Sequence, residues 1–140
     1  MSVTIIEVAV TVQVSLDKAW AYWTSPEHIV QWNNASDDWH TPHASNNPVT
    51  GGSFLYRMEA RDGSMGFDFS GEYDLVIPQQ RIEYHMADGR KVVIRFSGNE
   101  TETRIQQDFD AETINSIELQ RQGWQAIMDR YKQYTEQSNA

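Results

Sequence analysis

Large apolar side chains recur at every second position through most of the chain and switch to helical spacing near its end. From Val3 to Val14 one parity carries Thr4, Ile6, Val8, Val10, Val12 and Val14, while the other includes Glu7, Thr11 and Gln13. That alternation is the signature of a long half-buried strand. Ser15 can then cap a short helix over Leu16 to Trp23. Ser25-Pro26-Glu27 opens a second short helix ending near Trp32. Here the Ser25 hydroxyl is expected to accept from free backbone N–H groups, proline suits the first helical position, and glutamate suits the positive end of the dipole. Asn33 to Gly52, rich in Asn, Asp, Ser, Pro and Gly, reads as loop with a short edge strand at Trp39 to Ala44.

The following strands share one phase. Phe54, Tyr56 and Met58 fall on one face, and after a turn at Asp62-Gly63 so do Phe67, Phe69, Gly71, Tyr73, Leu75 and Ile77. Arg57, Glu59, Asp68, Glu72 and Asp74 take the opposite face. Ile82, Tyr84 and Met86 alternate with Glu83 and His85, and Asp88-Gly89 predicts a hairpin turn into Val92, Ile94 and Phe96. A last strand, Thr101 to Asp110, turns Thr103, Ile105, Gln107 and Phe109 inward. The period then changes: Ile117, Trp124, Ile127, Met128, Tyr131 and Tyr134 share one face of a helix reaching about Glu136, with Asn115 and Glu118 spaced as a capping box. Such a helix is roughly 30 Å long and can cross a whole small sheet. The predicted fold is therefore α+β and one domain: a curved antiparallel sheet of six to seven strands around a long C-terminal helix, with two short helices after strand 1.

Composition narrows the function classes. At 140 residues the chain can bury a sizeable core, and five Trp, six Tyr and five Phe supply it. A net charge of -9, with eleven Lys and Arg scattered along the chain, repels a phosphate backbone, so nucleic acid is not an expected partner. The absence of cysteine removes disulfide and thiol chemistry. The N-terminus shows neither a basic leader nor a long apolar run, so a soluble cytoplasmic protein without membrane contact is expected, as a monomer or an edge-strand homodimer.

The inward aromatics either fill a core or line a cavity. Tyr56, Tyr73, Tyr84, Thr103 and Gln107 place polar atoms on an apolar face, and each costs about 1–3 kcal/mol if left without a partner. A cavity holding water or a ligand would supply partners. Its expected wall comprises Phe54, Tyr56, Met58, Phe67, Phe69, Tyr73, Tyr84, Met86, Phe96 and Gln107 from the sheet, and Met128 from the helix. Trp32, Trp39 and Trp124 are expected at its rim and floor, and Met58, Met86 and Met128 can adapt to varied ligand shapes. Trp20 and Trp23 read as helix-to-sheet core. His40 and His43, near Asp37 and Asp38, have the spacing of a metal pair but no further ligand spacing, so no metal or cofactor is expected. His28 reads as a helix-surface residue and His85 as outward-facing, neither with a catalytic partner. No nucleophile elbow, phosphate loop or dinucleotide fingerprint occurs, and no catalytic residue is assigned.

Trp20-Ala21-Tyr22-Trp23-Thr24-Ser25-Pro26-Glu27-His28-Ile29, Trp32, Gly51-Gly52-Ser53-Phe54, Gly66-Phe67-Asp68-Phe69-Ser70-Gly71 and Gly123-Trp124 occur in this order over nearly the whole chain. Together they resemble the activator of heat shock protein 90 ATPase homologue family, within the START/Bet v 1-like helix-grip superfamily. The resemblance implies the same sheet-and-helix architecture as the periodicity. Since this scaffold serves carriers, receptors and enzymes alike, three functions stay open. The first is a pocket for an apolar or amphipathic small molecule, oriented by tyrosine or glutamine. The second is chaperone-linked stress handling through an outer surface that includes Asp68, Glu72 and Asp74. The third is a cyclase- or hydrolase-type enzyme dependent on Tyr84 or Gln107.

Overall fold

The computed structural model describes residues 4–137, so Val3, the predicted start of the first strand, lies outside the described residues. These residues form seven strands and three helices: β1 (Ile5–Val12), α1 (Leu16–Thr24), α2 (Pro26–Trp32), β2 (Trp39–Asn46), β3 (Ser53–Ala60), β4 (Gly66–Ile77), β5 (Arg81–Met86), β6 (Lys91–Gly98), β7 (Thr103–Asp110) and α3 (Ile117–Gln137). The strands make one curled antiparallel sheet in the order β1-β7-β6-β5-β4-β3-β2. Every neighbour but one is joined by a hairpin. The exception is β1, which pairs with β7 along its full length while α1 and α2 carry the chain across to β2 at the far edge. α3 lies against β1 and closes the hollow of the sheet, with α1 over β6 and α2 against β2.

Local chemistry accounts for most boundaries. Ser15 caps α1 through a bond from the Lys18 N–H. Ser25 opens α2 with its backbone carbonyl, which accepts from His28 and Ile29, and the expected side-chain cap is not formed. Pro26, at the first helical position, has no N–H and so leaves one fewer free donor at this end. Gly89, at φ 90°, completes the β5–β6 turn, where an L side chain would be strained. β2 extends to Asn46 and tolerates Pro42 because it is an edge strand whose register shifts between His40 and His43.

Two further sequence expectations change. Asp74 is a bulge: Tyr73 pairs with Tyr84, but Leu75 pairs with Glu83 and Val76 with Ile82. The extra residue reverses the parity, so Val76 packs against the core while Leu75 and Ile77 leave the inner face. The cap of α3 is Ser116, whose hydroxyl accepts from the Leu119 N–H at 3.1 Å, and Asn115 instead donates to Glu112. Ser116→Ala is accordingly expected to cost about 1 kcal/mol in urea unfolding, and Asn115→Ala, which removes an exposed contact, less.

Candidate functional site

Between the hollow of the sheet and α3 lies a pocket of about 380 Å³. Phe54 is the hub of its sheet wall, with ring centroids 4.9 Å from Tyr56, 5.4 Å from Phe69, 5.5 Å from Tyr73 and 4.8 Å from Tyr84. The helix side is anchored by Trp124, which stacks on Phe109 at 3.9 Å and meets Phe69 edge-on at 6.3 Å. One indole thus bridges β7 and β4 across the hollow. At the inner end Trp32 spends its Nε1–H on the Tyr22 carbonyl at 3.0 Å, which leaves its ring to face the pocket beside Trp23, Ile82 and Ile94.

The polar atoms of this wall are not equivalent. Tyr56 lies close to Tyr73, whose hydroxyl donates to Asn46 Oδ1 at 2.5 Å. Asn46 Nδ2 in turn donates to the Thr24 carbonyl, tying the wall to the end of α1. Thr103 donates to the Val14 carbonyl. Tyr84 and Gln107, each 6% exposed, line the pocket and have no side-chain hydrogen-bond partner among the described residues. Burial pushes the Tyr56, Tyr73 and Tyr84 hydroxyls well above the ordinary tyrosine range, so all three are neutral at any working pH. Tyr84 is therefore an idle O–H donor, and Gln107 an idle amide.

Arg90, Glu112, Asn115, Leu119 and Gly123 continue the lining around the N-terminal end of α3, where Asn115 and Leu119 are exposed to solvent. Glu112 organises this loop: Oε1 accepts from the Ile114 and Asn115 N–H groups and Oε2 from Asn115 Nδ2. Gln120 clamps it from the helix, accepting from the Glu112 N–H and donating to the Glu112 and Asn115 carbonyls. The Asn115 backbone N–H, more than any other contact, holds the Glu112 carboxyl below the usual range. A carboxylate depressed in the folded state stabilises above its unfolded pKa and loses that contribution as pH falls. The Asn115 amide signal should therefore stay constant through the range where a free glutamate titrates and shift only at lower pH in an NMR titration.

Gly123 offers a second check. A Cβ there meets nothing within 4 Å, and the residue sits inside α3. Gly123→Ala is expected to raise stability by about 0.5–1 kcal/mol, seen as a higher denaturation midpoint at unchanged slope.

Of the residues expected at a cavity, Trp32, Phe54, Tyr56, Met58, Phe67, Phe69, Tyr73, Tyr84, Met86, Gln107 and Trp124 line the pocket. Three lie elsewhere. Trp39 packs beside Phe67 at 5.8 Å on the edge strand, Phe96 sits beneath Trp20 and Trp23, and Met128 is fully buried behind the lining. Phe67 itself is 48% exposed at the opening. Trp23, expected only as core, also lines the pocket. Arg90, Glu112 and Gln120 were missed. Gln120 had a readable signal, since it lies four residues before Trp124 on the same helix face, whereas Arg90 and Glu112 sit in turns that carry no periodicity. His28 is no free surface residue: it stacks on Tyr22 at 3.7 Å and bonds the Tyr134 hydroxyl at 2.8 Å, joining α2 to α3. His85 does face outward, with Nδ1 2.9 Å from Asp74. His40 pairs with Glu59 at 3.8 Å, and among the described residues no three His, Asp or Glu side chains converge as metal ligands. No helix of the described residues is long and apolar enough to cross a membrane.

A curled antiparallel sheet gripping one long C-terminal helix, with two short helices after the first strand, defines a Bet v 1/START-like helix-grip protein. The chain belongs to the family described as Activator of Hsp90 ATPase homolog 1-like protein, whose pattern matches residues 13–136. It is similar to an AHSA1-like protein from Aeromonas hydrophila, at 38% identity and TM-score 0.85 over 94% of this chain and 92% of that one. A protein from Cytophaga hutchinsonii is 49% identical, with TM-score 0.81 over 94% of this chain and 91% of its own. One from Nitrosomonas europaea shares the fold at 18% identity and TM-score 0.80, over 95% and 94% of the two chains. No curated protein matches the chain.

Proposed function

We propose that the protein binds a small apolar or amphipathic molecule in the pocket between sheet and α3. The observation that carries this reading is the pair Tyr84 and Gln107: both are buried and line an aromatic-walled space of about 380 Å³, and neither side chain has a hydrogen-bond partner among the described residues. Their polar atoms open into the pocket and are not sealed in the core, so a bound molecule can reach them. Apolar walls with a few convergent polar groups are the usual composition of small-molecule sites, and the volume falls within their range. Glu112, the carboxylate of the lining, is held by three hydrogen bonds from its own loop, which favours binding over acid–base chemistry.

The lining tryptophans provide the test. Titration of the folded protein with a panel of linear and ring-bearing amphiphiles should change the fluorescence of Trp23, Trp32 and Trp124 saturably. It should also move the Gly123 amide and tryptophan Nε1–H signals in NMR spectra. If no member of the panel produces either response, the pocket is not a binding site.

A further inference from the structure

The opening of the pocket carries a charge pattern of its own. Arg90 is the single Lys or Arg on the lining, and its side chain is about three-quarters buried. Its Nε donates to Asp88 Oδ2 at 2.8 Å and its backbone N–H to Asp88 Oδ1 at 3.1 Å. Asp88 is thereby occupied by its own hairpin. No acceptor among the described residues meets Arg90 Nη1 or Nη2. The other carboxylate at the opening, Glu112, already takes two backbone N–H groups and the Asn115 amide. The opening thus presents free donors, while both of its carboxylates already accept hydrogen bonds. Inside, the Tyr84 hydroxyl is a further idle donor on the same lining as Arg90.

A guanidinium whose Nε is taken still offers the edge between its two Nη groups, which matches the two oxygens of a carboxylate. A dianionic head fits poorly, because the one cation of the lining is already paired with Asp88 and shares the lining with Glu112. The lining runs along α3 from Leu119 to Ile127, roughly 12 Å at the helical rise, so the space beyond Arg90 suits an extended chain.

We infer that the pocket takes an elongated monocarboxylate amphiphile, its carboxylate on the free Nη edge of Arg90 beside the Tyr84 hydroxyl and its chain beneath α3 toward Trp32. This rests on the reading of the pocket as a binding site and specifies its ligand class.

The test compares dodecanoate, dodecanol and dodecyltrimethylammonium, all below their micellar concentrations, by calorimetry and tryptophan fluorescence. The quantity read is the dodecanoate-to-dodecanol affinity ratio. It should fall about tenfold from the native protein to Arg90→Gln, because a charge-assisted bond is lost while chain burial is kept. Arg90→Lys, which keeps the charge but not the planar edge, should give an intermediate ratio. Tyr84→Phe should lower the ratio by a smaller factor, and serves if the hairpin variants do not fold. Retained dodecanol affinity certifies the pocket in each variant. An unchanged ratio in Arg90→Gln, or tighter binding of the ammonium compound than of dodecanoate, overturns the assignment of ligand class alone. If none of the three binds the native protein, the binding-site reading falls with it.

Discussion

Tyr131→Ala is expected to destabilise the protein by about 3–5 kcal/mol, the largest loss of any single substitution considered. The ring is fully buried, edge-on to Trp23 at 4.9 Å and to Trp32 at 5.1 Å, and its hydroxyl donates to the Ala19 carbonyl at 2.6 Å. One side chain therefore fastens α3 to both short helices. Truncation removes the buried ring and leaves a void that these indoles fill only in part, so transfer and cavity costs add. Against a usual total of about 5–15 kcal/mol, that is a major share. Tyr131→Phe should cost only about 1 kcal/mol, since it removes the hydrogen bond and keeps the packing. Urea denaturation of the two variants separates these contributions. Equal losses would show that the hydroxyl, and not the ring, holds the helices together.

Gly71→Ala is the second substitution with a large expected effect, and it acts on the pocket. A Cβ at this position would lie 2.7 Å from Phe54 Cε1 and 2.9 Å from the His85 backbone oxygen. The strand cannot retreat, because Gly71 pairs with Phe54 on one side and Met86 on the other. The Phe54 ring must move instead, and with it the contacts to Tyr56, Phe69, Tyr73 and Tyr84. Overpacking of this kind costs about 1–3 kcal/mol. The expected outcome is a lower denaturation midpoint together with altered ligand affinity, whereas Gly123→Ala in the opposite wall raises the midpoint. A Gly71→Ala protein with native stability and native binding would show that Phe54 has freedom the packing does not suggest.

Much of the inner face was legible because alternation is a local property. Ile6, Val8, Val10 and Val12 turn inward in β1. Ile82, Tyr84 and Met86 do so in β5, and Val92, Ile94 and Phe96 in β6. Parity failed only at Asp74, where one additional residue reversed Leu75, Val76 and Ile77. A bulge leaves no mark in periodicity when both parities beyond it are apolar, and Leu75-Val76-Ile77 is such a run. The cap of α3 was displaced by one residue for a similar reason, since Asn115 and Ser116 are both competent caps. Only the docking of Asn115 against Glu112 distinguished them.

The candidate site was legible as a list of residue types and not as an arrangement. Tyr56, Tyr73, Tyr84 and Gln107 look alike along the chain, as polar atoms on an apolar face. Asn46, 27 residues before Tyr73 in sequence, takes up the Tyr73 hydroxyl, while no such distant partner reaches Tyr84 or Gln107 among the described residues. Arg90 gains its meaning from Asp88 and Glu112, which occupy separate turns brought together at one end of α3.

By itself the sequence determined the alternation of the strands, the long closing helix and the set of aromatics that faces it, because periods of two and 3.6 are written in neighbouring residues. Whether helix and sheet meet with space between them was decided by the tertiary structure. That space is a difference between the volume enclosed by the curl of the sheet and the volume of side chains from many separate segments, and no local pattern carries such a difference. The same holds for which polar atoms inside it are left to a ligand, since each depends on a partner distant in the chain.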